Sequence, residues 1–295
     1  MKKNILIIGG GNMGLSHVAS FIKKNYNIYV YDIDYKKLKK KINITFPSIK
    51  NITILKTFPN RKKFLLTIIA TKSKERLAVL KLFIKKNISK YYLLEKFPFL
   101  TINNFYYFKN NIGFKNFYVN SWAYFLIKKL KIKKINNSQI HIKVVKNALL
   151  SNLSHFIHFF SYLDNYSKII DKKKSIKIIK SSKDKTYNEV TGKIKIETLN
   201  KNKLLVETFT SKKHAFCIKI KNNNKIIYEI NFEKNGLIHL KTRTRKKTIT
   251  FPYSSNTTFL FLKALLTGKN QFMPSARIDF KISTFILSFL KVKLY

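Results

Sequence analysis

The turn between the first apolar run and the first amphipathic segment constrains the fold of this chain more than any other feature. Ile5–Ile8 is a charge-free apolar run, typical of a buried parallel strand, and Gly9, Gly11 and Gly14 follow it in the spacing G-x-G-x-x-G. The first glycine permits a tight turn, the second lets the backbone approach a pyrophosphate, and the third lets a helix pack close to the strand. The apolar spacing of Leu15 to Lys24 predicts that helix, whose N-terminus offers N–H groups to an anion.

The next predicted strand ends in a carboxylate, as a dinucleotide site requires. Asn27–Tyr31 is predicted to be this strand, and Asp32 follows it, 18 residues after Gly14. A carboxylate here accepts hydrogen bonds from an adenosine ribose and repels a 2′-phosphate, which favours NAD as the cofactor. Lys36 and Lys37 come shortly afterwards and would weaken that preference, so NADP stays the alternative.

The first third of the chain alternates predicted strands with predicted helices. Beyond Asp32 these are a short helix, a minor strand, an apolar strand, a helix and a further strand, at Tyr35–Lys41, Thr53–Leu55, Phe64–Ala70, Lys74–Lys86 and Tyr91–Glu95. This alternation predicts a parallel sheet covered by helices on both faces, with ligands at the C-terminal ends of its strands. The expected cofactor contacts are therefore Gly9, Gly11, Asn12, Met13, Gly14, Asp32, Thr71 and Glu95.

The pattern changes after residue 118. Ala148–Leu163 is predicted to be a helix rich in aromatic residues and histidine, and Ser175 to Thr250 reads as repeated strands. Turn signals such as Asn235–Gly236 separate these strands, which indicates a mainly antiparallel sheet. Two closing helices are predicted at Asn256–Thr267 and Arg277–Leu290. We therefore predict a Rossmann dinucleotide-binding domain over residues 1–118 and an α+β domain with a large, open, mainly antiparallel sheet over residues 119–295.

The net charge of +47 raises the question of a nucleic-acid partner. Only five of the 60 basic residues are arginine, the better residue for bidentate contacts to bases and phosphates, and the lysines are spread along the whole chain. The abundance of Lys, Asn, Ile, Phe and Tyr is what A/T-rich codons produce. We expect no specific nucleic-acid partner, only salt-dependent adhesion to polyanions.

Cysteine content and hydropathy indicate a reducing, aqueous compartment. Cys217 is the single cysteine, so the chain has neither an internal disulfide nor a cysteine metal cluster. The apolar run after Met1–Lys3 is broken by Gly9 after four residues, too short for a signal peptide. No segment has the roughly 18 apolar residues that a membrane span needs. We expect a cytoplasmic protein with no membrane span and no metal.

Four stretches together resemble one known family. Gly9–His17 (GGGNMGLSH) looks like an opening G-x-G-x-x-G-x-x-H motif, and Leu94–Lys96 looks like the start of an E-K-P motif. Asn152–His155 is similar to a helix that carries a catalytic histidine, and Met273–Leu290 looks like a closing helix. These features resemble the glucose–fructose oxidoreductase / inositol dehydrogenase (Gfo/Idh/MocA) family.

The resemblance implies an activity and roles for particular residues. It implies an NAD(P)-dependent oxidoreductase that transfers a hydride between nicotinamide and a sugar, cyclitol or nucleotide-sugar. Lys96 would stabilise the developing alkoxide and His155 would accept the hydroxyl proton. Trp122, Tyr124 and Asn152 would contact the substrate, with Trp122 and Tyr124 in the first strand of the second domain. Open sheets of this family often pair, so a homo-oligomer through the C-terminal sheet is expected.

The chain also departs from the family pattern at several motif positions. Phe97 stands where the proline of E-K-P is usual, and Arg76 stands where members often have a histidine. Ser151 and His158 replace the acids that often flank the histidine of the D-x-x-x-H-x-x-D helix. These departures leave a second hypothesis open, a non-catalytic or diverged dinucleotide-binding relative that acts as a sensor or partner protein.

Overall fold

The chain folds into two compact units. The computed structural model describes residues 2–59, 62–84, 88–145, 149–180, 188–209, 216–233, 235–251, 254–268 and 272–291. The first unit comprises Met1–Phe125 and Tyr253–Thr284, and the second comprises Leu126–Pro252 and Phe285–Tyr295. This division differs from the predicted single boundary at residue 118, because a late segment of the chain returns to the first unit.

The first unit is built on a six-stranded parallel sheet. Its strands are β1 (Lys3–Ile8), β2 (Tyr26–Tyr31), β3 (Ile52–Leu55), β4 (Phe64–Ile69), β5 (Ser89–Leu94) and β6 (Phe117–Val119). The helices of this part of the chain are α1 (Asn12–Phe21), α2 (Tyr35–Thr45), α3 (Ser73–Ile84), α4 (Ile102–Asn111) and α5 (Trp122–Leu130), the last of which runs on into the second unit. The strand order β3-β2-β1-β4-β5-β6 is that of a doubly wound nucleotide-binding sheet.

The second unit is built on an eight-stranded sheet. It contains β7 (Ser138–Val145), α6 (Leu149–Leu163), β8 (Ile169–Lys180), β9 (Asn188–Thr198), β10 (Lys203–Phe209), β11 (Phe216–Asn222), β12 (Lys225–Phe232), β13 (Leu237–Lys241) and β14 (Lys246–Thr250). The strand order is β14-β13-β12-β11-β7-β10-β9-β8, and only β7 and β10 pair in parallel among these strands. Both sheets together confirm the predicted fold class.

The last two helices explain why the late segment belongs to the first unit. They are α7 (Ser254–Leu266) and α8 (Ala276–Leu290), and α8 ends in the second unit. Phe261 and Leu262 of α7 are buried in one core with Val18 and Phe21 of α1. The apolar face of α1 is therefore covered by a helix that the sequence analysis assigned to the second domain.

Three further predictions need correction. The helix after the glycine turn begins at Asn12 rather than Leu15, because Gly11 already has the extended backbone of an N-cap residue. The open sheet begins at β7, earlier in the chain than the predicted start at Ser175. The residues of β7 alternate between buried and more exposed positions. Trp122 and Tyr124 lie on helix α5 rather than on a strand, and Lys128 and Lys129 suit the negative end of its dipole.

No helix in the described part of the chain is long and apolar enough to cross a membrane.

Candidate functional site

The glycine turn combines tight packing with one open position. Gly9 has φ +102°, and a Cβ placed on it would lie 2.9 Å from the carbonyl carbon and oxygen of Ala70. A Cβ on Gly14 would overlap the carbonyl oxygen of Gly9, so the helix approaches the turn too closely for any side chain. A Cβ on Gly11 would meet no atom within 4 Å. The first and third glycines therefore serve packing, while the second leaves space where a ligand can approach the backbone.

The N-terminus of α1 is suited to an anion. Its N-cap residue, Gly11, provides no side-chain cap, and the first turn contains no acidic residue. Gly11, Asn12 and Met13 are exposed. Uncapped first-turn N–H groups carry the positive end of the helix dipole, so a pyrophosphate fits here without a competing carboxylate.

Asp32 lies at the C-terminal end of β2 with its carboxylate fixed by backbone donors. Its Oδ2 accepts from the N–H of Gly10 at 2.5 Å, and its Oδ1 accepts from the N–H of Asp34 at 3.0 Å. A carboxylate accepts about four hydrogen bonds, so capacity for two ribose hydroxyls remains. Lys36 and Lys37 are exposed on the first turn of α2. Asp32 therefore has free acceptor capacity at the end of β2, and its role as a ribose contact stays a prediction.

Thr71 follows the C-terminal end of β4, at the same edge of the sheet. Its Oγ1 is buried and has no hydrogen-bond partner among the described residues. Leaving a buried hydroxyl unsatisfied costs about 1–3 kcal/mol, and such groups are rare. A polar group of a bound cofactor would satisfy it, so Thr71 suits its predicted role.

Glu95, at the end of β5, belongs to a buried hydrogen-bond network. It is 7% exposed, and its Oε1 accepts from Nε2 of His17 at 2.7 Å and from Nδ2 of Asn120 at 2.8 Å. The other ring nitrogen of His17 hydrogen-bonds with the Thr258 hydroxyl at 2.8 Å. The carboxylate thus connects α1, β5 and α7 inside the unit, and its predicted contact with a cofactor stays a prediction.

The pKa of Glu95 reflects this network. Burial alone would raise the pKa of the carboxyl, but the hydrogen bond and charge of His17 outweigh burial, with further help from Asn120 and the charge of Arg76. Together they lower the pKa from 4.5 to about 2. Glu95 is therefore an ionised structural anchor rather than a proton donor at neutral pH.

This pKa predicts an acid-linked loss of stability. Because the folded-state pKa is lowered, the stabilisation is complete above the unfolded pKa of 4.5 and disappears as the pH falls toward about 2. Glu95→Gln keeps the shape and one acceptor oxygen, and we expect it to be about 1–3 kcal/mol less stable than the wild type at pH 7. Urea unfolding should show this gap shrinking by up to about 1.4 kcal/mol per pH unit below pH 4.5. If the difference in free energy of unfolding between the two proteins stayed constant from pH 7 to about pH 3, Glu95 would not be a stabilising ionised group.

Lys96 is half-buried between Glu95 and a residue with unusual backbone geometry. Phe97 has φ +51°, in the left-handed region that bulky residues rarely adopt. Its carbonyl oxygen accepts a hydrogen bond from Oγ of Ser73 at 2.7 Å. The chain therefore turns sharply after Lys96 although the usual proline is missing.

Helix α6 of the second unit carries further residues that the sequence singled out. His155 and His158 are buried at 5% and 1% exposure, and Asn152 is half-buried on the same helix. The side chain of Ser151 lies outside the described residues. Glu189, at 4% exposure on β9, accepts from the N–H of Leu150 at 2.5 Å and so caps the N-terminus of α6. The two substrate candidates on α5, in the first unit, are a half-buried Trp122 and a buried Tyr124.

Sequence reasoning missed several supporting residues, namely Arg76 as a structural link, Asn120, Thr258 and Glu189. A compositional signal was available for two of them. The chain has only 13 acidic residues and five arginines, so each carboxylate or guanidinium is itself informative. Both Arg76 and Glu189 are buried. No comparable signal marks Asn120 or Thr258.

Comparison with known proteins gives structural matches only. No protein-family model matches the sequence, and neither does any curated protein. UDP-N-acetylglucosamine 3-dehydrogenase GnnA from Acidithiobacillus ferrooxidans superposes with a TM-score of 0.71 and 10% identity, covering 100% of this chain and 98% of that one. An oxidoreductase from Agrobacterium radiobacter, solved with NAD+, L-tartaric acid and magnesium, has a TM-score of 0.69 and 10% identity over 99% and 96% of the two chains.

A third match shows how varied proteins of this fold are. Biliverdin reductase from Synechocystis, solved with biliverdin and NADP+, has a TM-score of 0.62 and 13% identity over 98% of this chain and 97% of that one. At such low identity these matches establish architecture and not activity. The chain therefore has the fold of known dehydrogenases and oxidoreductases, a parallel doubly wound sheet followed by a mainly antiparallel one.

Proposed function

We propose that this chain is an NAD(P)-dependent oxidoreductase of the Gfo/Idh/MocA type. The observation that carries the proposal is the glycine turn, with open space at Gly11, an uncapped start of α1 and Asp32 fixed at the end of the neighbouring strand. The unpartnered hydroxyl of Thr71 at the same sheet edge supports it. The structural matches include a dehydrogenase and an oxidoreductase that was solved with NAD+.

The cofactor would be held by the first unit, and NAD is favoured over NADP. Gly11, Asn12 and Met13 would bind the pyrophosphate, and Asp32 would accept the ribose hydroxyls. Two backbone N–H groups hold the Asp32 carboxylate in place. Its negative charge would therefore repel the 2′-phosphate of NADP. When bound, the nicotinamide supplies or accepts the hydride.

The protein residues would contribute charge and proton transfer. Lys96 would present its ammonium to the oxygen of the reacting carbon, where negative charge develops. The family resemblance gives His155 the part of proton acceptor, and a histidine needs little tuning of its pKa for that work. Trp122, Tyr124 and Asn152 are proposed to contact the substrate.

The substrate class is proposed as a sugar, cyclitol or nucleotide-sugar. One structural match is named as a dehydrogenase of UDP-N-acetylglucosamine, whereas another was solved with biliverdin. Because one fold supports several chemistries, the substrate has to be found by assay. Turnover should be measured by nicotinamide absorbance with a panel of nucleotide-sugars, free sugars and cyclitols. Turnover on any of these compounds supports the proposal.

The non-catalytic alternative rests on the left-handed Phe97 at the position of the usual proline. It predicts clear dinucleotide binding without turnover on any member of that panel. In that case the chain would act as a sensor or partner protein, and the oxidoreductase proposal would fail.

Asp32→Ala tests the cofactor preference. Removing a charged acceptor of two hydroxyls should cost about 1.5–3 kcal/mol of NAD+ binding, which is roughly a tenfold to 100-fold weaker Kd. NADP+ should lose much less, because the repulsion of its 2′-phosphate disappears as well. Thermal-shift titration with NAD+, NADH, NADP+ and NADPH measures both effects.

The control for this titration is Asp171→Ala, which removes an exposed carboxylate on β8 in the other unit. It should leave all four affinities unchanged. No shift of the wild type with any of the four cofactors would reject the dinucleotide site. Equal weakening of NAD+ and NADP+ by Asp32→Ala would reject the proposed preference.

We also propose that a second copy of the chain pairs through the open sheet. On the face that alternates with the buried side chains, Glu207 contacts His141 at 2.8 Å, Lys193 at 3.4 Å and Lys143 at 3.5 Å. These pairs neutralise part of the lysine charge that would otherwise repel a second copy. Sedimentation equilibrium should then give at least about twice the chain mass of 34.8 kDa, and a monomer at all concentrations would contradict this.

A further inference from the structure

We propose that Arg76 is a positioning residue for Lys96, an inference that rests on the proposed function. Arg76 lies near the start of α3 and is 3% exposed. Its Nη1 donates to the carbonyl oxygens of Glu95 at 3.0 Å and Phe97 at 3.2 Å, the two residues that flank Lys96. The same guanidinium thus holds the backbone on both sides of the lysine.

The guanidinium also joins two strand ends. Its Nη2 donates to the carbonyl oxygen of Thr71 at 2.7 Å, just beyond β4. Its Nη1 donates to carbonyl oxygens of the segment just beyond β5. A planar guanidinium presents several donors in a fixed fork, whereas a lysine ammonium is a compact point charge on a flexible stem. Only five of the 60 basic residues of this chain are arginine, and this one is buried. The site therefore uses the geometry of arginine, not merely its charge.

The backbone of Phe97 needs such support. A left-handed conformation strains a non-glycine residue and persists only where its surroundings determine it. Two donors, Oγ of Ser73 and Nη1 of Arg76, meet at the Phe97 carbonyl oxygen. We infer that these hydrogen bonds do here what a proline does in the E-K-P motif, which is to fix the direction of the chain after the lysine.

The side chain of Glu95, the residue before Lys96, is held by further contacts that do not involve Arg76. His17 and Asn120 fix the side chain of Glu95, and its ionised carboxylate compensates the charge of the buried guanidinium. With both neighbours fixed, the direction in which Lys96 leaves the backbone is set before any ligand binds. Preorganisation of this kind matters because a displacement of about 1 Å in a catalytic group can cost 100-fold in rate.

The test compares Arg76→Lys with Arg243→Lys, in which an exposed arginine between β13 and β14 is changed in the same way. For Arg76→Lys we expect kcat to fall about 10- to 100-fold, while KM and the Kd of NAD+ stay within about threefold of the wild type. Arg243→Lys should change none of these values. Adding guanidinium chloride at about 20 mM, far below denaturing concentrations, should restore part of the kcat of Arg76→Ala, and urea at the same concentration should not.

Hydrogen exchange gives a readout that needs no substrate. In Arg76→Lys the amides of Lys96 and Phe97 should exchange at least about tenfold faster, while the amides of β1 stay as protected as in the wild type. If no substrate turns over, the oxidoreductase proposal fails but this comparison still decides the role of Arg76. Unchanged exchange at Lys96 and Phe97 overturns the inference. So does a kcat within about threefold of the wild type, or a loss confined to cofactor affinity and thermal stability.

Discussion

Lys96→Ala should lower kcat by about 10³-fold while leaving the Kd of NAD+ within about threefold of the wild type. The lysine is half-buried at the C-terminal end of β5, the edge of the sheet where ligands bind. A cation there stabilises charge that develops only during the reaction, so its removal affects the rate and not the binding of the dinucleotide. Stopped-flow or steady-state absorbance of the nicotinamide, with the best substrate of the panel, gives the comparison.

Lys90→Ala is the matched control for that experiment. Lys90 lies at the other end of the same strand and is exposed, so its loss should change kcat by less than about twofold. Retention of the wild-type kcat in Lys96→Ala would remove the lysine from the mechanism. A chain that binds NAD+ without turnover in its wild-type form would support the sensor alternative instead.

Phe97→Pro should destabilise the protein by about 3 kcal/mol or more, although it restores the E-K-P sequence of the family. Proline fixes φ near −65°, whereas Phe97 has φ +51°, so the two conformations are incompatible. The substitution would also move the Phe97 carbonyl oxygen away from Ser73 and Arg76. Guanidinium chloride unfolding of both proteins measures the difference in free energy.

Phe97→Gly is the control, because glycine adopts a left-handed conformation without strain. Relief of about 1–2 kcal/mol of backbone strain should offset most of the loss of a half-buried ring, leaving a small net change. A stable Phe97→Pro variant, within about 1 kcal/mol of the wild type, would show that this turn accommodates either backbone conformation.

The parts of the fold that local patterns encode were predictable. The run Ile5–Ile8, the glycine spacing and Asp32 are close in sequence, and together they were sufficient to predict a parallel sheet and the ligand edge. Strand β7 was missed because its neighbours in the sheet, β10 and β11, come after α6 and two further strands, so no hairpin signal marks it. Helix α7 was placed in the wrong unit because its apolar stripe does not specify which partner covers it.

The supporting contacts of the candidate site were less predictable than the sequence motifs that mark it. His17 meets Glu95 across 78 positions and Thr258 across 241, and no periodicity relates residues so far apart. The buried network of Glu95 was not predictable for the same reason, since a carboxylate at a strand end suits a cofactor and a buried network equally well. The sequence showed Arg76 only as a departure from a motif that the chain resembles, and the three carbonyl contacts give the residue a structural role.

The hydrogen bond between His17 and Thr258 has a consequence for biosynthesis. A ribosome releases the six strands of the first sheet long before α7, so a nascent chain carries Val18, Phe21 and the ring of His17 without their final cover. Domains generally fold as units during synthesis, but this unit stays incomplete until α7 has emerged. The core of the first unit should therefore be completed late, and a nascent chain stalled before residue 254 should be a target for chaperones and proteases.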